Sequence, residues 1–145
     1  MNGAPWVPFR EPPRATIVRN LTIALVTGFV FAQFTGGLAR WPVATLLMCW
    51  PTFGGHFVEL AFLNGLRPRL PRARAIQVIV RLAWWFGAGV GLLYAMRLTA
   101  EALSLTRAPL WFPLWMGGVA FIGVEFVAQL AVQLRGLPSF YDGRA

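Results

Sequence analysis

Apolar residues fall in four long blocks along this chain, separated by short stretches that hold most of the arginines. About 20 apolar residues suffice for a helix to cross the hydrocarbon core of a bilayer. The blocks therefore predict four spans: about Asn20 to Leu38, Trp41 to Leu66, Ala75 to Leu98, and Leu110 to Leu134. A short interfacial helix extends the third towards Leu105. Arg19 precedes the first block as in a signal peptide, but the block is longer than a typical signal-peptide core. The expected fold class is all-α, an integral membrane bundle of four transmembrane helices over residues 16–138. Residues 1–15 are expected to form an irregular Pro- and Arg-rich tail with Trp6 and Phe9 as interface anchors, and residues 139–145 a short polar tail.

The second block is interrupted by Pro51-Thr-Phe-Gly-Gly55. Proline removes a backbone donor and clashes with the preceding turn, so a kink or break is expected near Pro51. The freed backbone groups need partners inside the protein, because lipid offers none. Thr52 is the nearest side chain able to supply one. In the third block Gly87, Gly89 and Gly91 form a small-residue stripe that allows close approach of another helix or of another chain. Trp111, Phe112 and Trp115 read as an interface belt at the start of the fourth.

Composition supports the membrane reading. The 145 residues are 57% hydrophobic and 12% charged, against about 25% charged in an ordinary soluble domain. The net charge of +8 would suggest nucleic acid in a soluble protein. Here it lies between spans, as a topology signal, and no nucleic-acid partner is expected. All thirteen basic side chains are arginine. Arg10, Arg14 and Arg19 lie in the N-terminal segment, Arg67, Arg69, Arg72 and Arg74 between spans two and three, and Arg135 and Arg144 at the C-terminal end. The positive-inside rule then puts both termini and the basic linker in the cytoplasm, in the cytoplasmic membrane of a bacterium. Cys49, the one cysteine, excludes an intrachain disulfide and reads as an inert buried thiol.

Ionisable residues inside spans are costly and mark functional sites by default. Counting 1.5 Å per residue, His56 and Glu125 each lie roughly 4 to 5 Å to the cytoplasmic side of the bilayer centre, and Arg81 roughly 8 Å, level with Glu59. His56 and Glu59 share a helix face at spacing three, and Gln129 lies one turn beyond Glu125. The arithmetic thus expects His56 opposite Glu125, with Glu59 and Arg81 paired one layer away.

Three functions are compatible with that cluster. In the first, Arg81, Gln129 and Thr52 join the acids in ordering the bundle or holding a lipophilic ligand, and the chain is a binding or assembly module. In the second, His56, Glu59 and Glu125 do acid/base chemistry on a lipid or isoprenoid. In the third, His56 is an axial ligand for haem or a chlorin. No cofactor is required by the first two. Membrane lipids, further copies of the chain or a larger membrane complex are the expected partners. Phosphate-cradling glycine loops, Ser-His-Asp arrangements and carboxylate-rich metal motifs are absent from the sequence.

The topology has a direct test. With Cys49 replaced by Ser, a single cysteine introduced by Arg72→Cys is expected to react with an impermeant thiol reagent only from the cytoplasm, and one introduced by Arg107→Cys only from the other side. Labelling of both from the same side overturns the four-span count or its orientation.

Overall fold

Pro13 opens the first helix, at the position where a missing N–H costs nothing and a fixed φ helps. The computed structural model describes residues 12–103 and 113–136. Helix α1 runs Pro13–Thr35, so it begins several residues before the expected start near Asn20. The proline-rich composition suggested an irregular segment there, but prolines in the first turn do not interrupt a helix. Gly36 and Gly37 follow with φ of 139° and 82°. Both angles favour glycine, and both N–H groups close on the Ala32 carbonyl. The chain then reverses through a short 3₁₀ turn, Leu38–Arg40.

Span two is segmented. Helix α2, Trp41–Cys49, passes into a π-helical turn at Trp50–Gly54, then α3, Gly55–Ala61, a second π turn at Phe62–Leu66, and a 3₁₀ turn at Arg67–Arg69. Pro51 accounts for the first π turn, since it has no N–H to continue the α-helical ladder. The carbonyls around it still find donors. Leu47 O accepts from the Trp50 N–H, and Met48 O accepts from Thr52 Oγ1 at 2.9 Å. Thr52 thus supplies the side-chain hydrogen bond expected of it.

Helices α4, Arg74–Ala102, and α5, Trp115–Leu134, complete the chain. All described elements are helical, and the segments Pro13–Thr35, Leu38–Arg69, Arg74–Ala102 and Trp115–Leu134 are each long and apolar enough to cross a membrane. The expected extension to Leu105, the belt residues Trp111 and Phe112, the anchors Trp6 and Phe9, and the C-terminal tail lie outside the described residues.

Packing is antiparallel and rests on missing side chains. Helix α1 lies on α2, and α4 on α5. Asn20, Ala24, Gly28 and Ala32 recur every fourth residue and are the buried positions of α1. A Cβ on Gly28 would stand 2.7 Å from the Thr45 backbone. Between α4 and α5 the contact is backbone on backbone, where a Cβ on Gly89 would lie 2.2 Å from Gly117 O. Gly87 and Gly91 have open space around their Cβ positions. Of the three glycines read as one stripe, only Gly89 makes this internal contact. A spacing of two puts its neighbours on the opposite side of a helix.

Gly89→Ala is therefore expected to destabilise the fold by about 1–3 kcal/mol or more, because the obstructing atom is backbone and cannot yield. Gly87→Ala is expected to be neutral or to stabilise by up to about 1 kcal/mol through helix propensity. Unfolding midpoints of the two variants in mixed micelles check the contrast.

Candidate functional site

Arg81 is the largest polar side chain sealed inside the bundle, 1% exposed. It projects from the first half of α4, towards the end of that helix nearest the basic linker. Its Nε donates to Glu125 Oε1 at 2.6 Å and its Nη2 to Glu125 Oε2 at 3.1 Å. This is the two-pronged fork that matches guanidinium to carboxylate. The same Nη2 donates to Glu59 Oε1 at 3.0 Å. One arginine thus joins three spans: α4, α5 through Glu125, and α3 through Glu59.

The surroundings hold it in place. The Phe62 ring lies under the guanidinium, 5.0 Å from ring centroid to Cζ, and Phe62 itself is fully buried. Trp84, one turn along α4, packs on Phe62 and donates from Nε1 to the Val58 carbonyl at 3.1 Å. Arg67, at the end of span two, is within electrostatic reach of both Glu59 and Arg81. Two cations therefore stand near two carboxylates. The carboxylates differ: Glu125 is 3% exposed and held through both oxygens, whereas Glu59 is 26% exposed. Glu59 Oε2 has no hydrogen-bond partner among the described residues.

The expected Glu59–Arg81 pair is present, and Arg81 also donates to both oxygens of Glu125, a pairing that depth arithmetic did not give. His56 Nδ1 lies 3.3 Å from Nη2 of Arg19 on α1. The long guanidinium arm spans the layer that depth arithmetic left between Arg81 and Glu125. Thr52 serves the backbone of the π turn, and Gln129 is half-buried one turn along α5 from Glu125.

One participant carries no separate mark in the sequence: Arg19, which reads there as a flanking topology charge. Asn20, beside it, is buried on the small-residue face of α1, and its Nδ2 has no partner among the described residues. The spacing Asn20-Ala24-Gly28-Ala32 carried the signal for it.

A second feature lies at the other end of the bundle. A cavity of about 280 Å³ is bounded by Phe31 of α1, Leu93, Met96 and Arg97 of α4, and Met116 and Ala120 of α5 among others. Along α4, Arg97 stands about 24 Å from Arg81, and none of the described lining residues belongs to the polar cluster. Comparison of the chain with protein-family models, with curated proteins and with solved structures finds no match.

The two acids are expected to respond differently to neutralisation. Glu125→Gln leaves a buried guanidinium without its forked partner and should cost about 3 kcal/mol. Glu59→Gln removes one bond at a partly exposed site and should cost about 1 kcal/mol. Reversible unfolding in micelles measures both, and equal losses would show that the two acids share the load.

Proposed function

We propose that this chain is a membrane-embedded binding or assembly module, and that the Glu59–Arg81–Glu125 cluster orders its bundle. The observation that carries this is the pairing of a buried arginine, through Nε and Nη2, with carboxylates from two other spans. Glu125, held through both oxygens and sealed from solvent, is poorly placed to take a proton from a substrate. That favours an ordering role over acid/base chemistry on a lipid.

In this reading both termini and the Arg67–Arg74 linker face the cytoplasm of a bacterial cell. The polar cluster then lies in the cytoplasmic half of the bilayer, where α3 meets α4. The lipid-facing glycines Gly87 and Gly91 are left to meet another copy or a larger complex.

Charge removal in two steps tests the role. Arg81→Met alone strands two carboxyls and is expected to cost about 3–5 kcal/mol. The triple variant Glu59→Leu, Arg81→Met, Glu125→Leu removes the three hydrogen-bonded charges together and is expected to recover most of that loss, since an apolar replacement of a buried ion-pair cluster is often neutral. Unfolding in micelles gives both numbers, and untargeted lipid profiles of membranes carrying each form complete the test. A triple variant as stable as the parent, whose membranes accumulate a lipid that the parent removes, would move the site to acid/base chemistry.

A further inference from the structure

The cavity between α1, α4 and α5 lies far from the polar cluster, and its described lining is apolar apart from Arg97. A void in such a lining forfeits dispersion contacts. Water does not settle there without polar partners to hold it. Inside a bilayer the medium on offer is hydrocarbon chain. At about 280 Å³ the space is close to the lower end of small-molecule sites, about 300 Å³.

Arg97 lies five residues before the last residue of α4, a helix of 29 residues, longer than the hydrocarbon core requires. That puts it at headgroup level. Its Nε donates to Glu101 Oε1 at 2.8 Å, in an ion pair that is open to solvent. The fork holds five donors, and phosphate is a good acceptor for those that remain. Glu101, one turn on, disfavours a purely anionic headgroup beside Arg97 and suits one that also carries a cation.

From these observations we infer that the cavity holds one acyl chain of a zwitterionic, amine-bearing phospholipid, with its phosphate on Arg97 and its ammonium towards Glu101. The site is independent of the role assigned to the Glu59–Arg81–Glu125 cluster.

Native mass spectrometry of the full chain, extracted in mild detergent and offered phosphatidylethanolamine, phosphatidylglycerol or diacylglycerol, tests the inference. The parent chain is expected to keep one phosphatidylethanolamine per copy, in preference to phosphatidylglycerol. Ala120→Trp fills the cavity and should reduce retention of every lipid at least tenfold. Arg97→Gln, at an exposed position that the fold does not depend on, should reduce retention of phosphatidylethanolamine about tenfold and leave diacylglycerol unchanged. A parent chain that carries no phospholipid overturns the inference. So does an Arg97→Gln chain that keeps phosphatidylethanolamine as well as the parent does, or an Ala120→Trp chain that folds with an unchanged thermal midpoint and still retains lipid.

Discussion

A guanidinium cannot shed its charge in a protein, and hydrocarbon gives it nothing to bond. Everything near Arg81 answers that constraint. Glu125 meets it with a fork, Glu59 with a third bond, and Phe62 with the face of a ring. Because these groups come from three separate stretches of chain, neutralising one charge also fixes how three spans stand against one another. The glycine contacts do the complementary work. Gly28 against Thr45 and Gly89 against Gly117 bring backbones close and so set how near the spans approach. Polar bonding chooses the partners, and absent side chains allow the distance.

The number of spans was legible in the sequence because length and hydropathy alone decide it. The Thr52 hydrogen bond was legible for a local reason: a hydroxyl on a helix can reach the carbonyl one turn back, here Met48 O. Glu59 with Arg81 followed from depth, which depends only on counting residues. Glu125 with Arg81 did not follow, because it depends on how each helix is turned about its own axis. In a soluble helix the polar face reveals that rotation. In these spans lipid-facing and core-facing residues are both apolar, so the rotation is recorded only in sparse signals such as the spacing of Asn20, Ala24, Gly28 and Ala32 on α1. The stripe of Gly87, Gly89 and Gly91 divides for a different reason: residues two apart on a helix do not share a face.

The two ends of the bundle carry different chemistry. One end holds paired charges tied to three spans and closed off by Phe62 and Trp84. The other holds an open apolar space beside a solvent-accessible ion pair. Between the two ends, α4 and α5 meet backbone to backbone at Gly89 and Gly117.

The π turn at Trp50–Gly54 also acts as a phase shifter. A π turn accommodates one residue more than an α-helical turn, and one residue corresponds to about 100° of rotation. All of the chain beyond Pro51 in that span is thereby rotated relative to α2. His56 comes round to Arg19 on one neighbour, and Glu59 to Arg81 on another. In a continuous α-helix with the same residues, the faces that α2 and α3 present would be related differently. The azimuth of the ion cluster is thus encoded in a local winding defect as well as in the charged residues that form it.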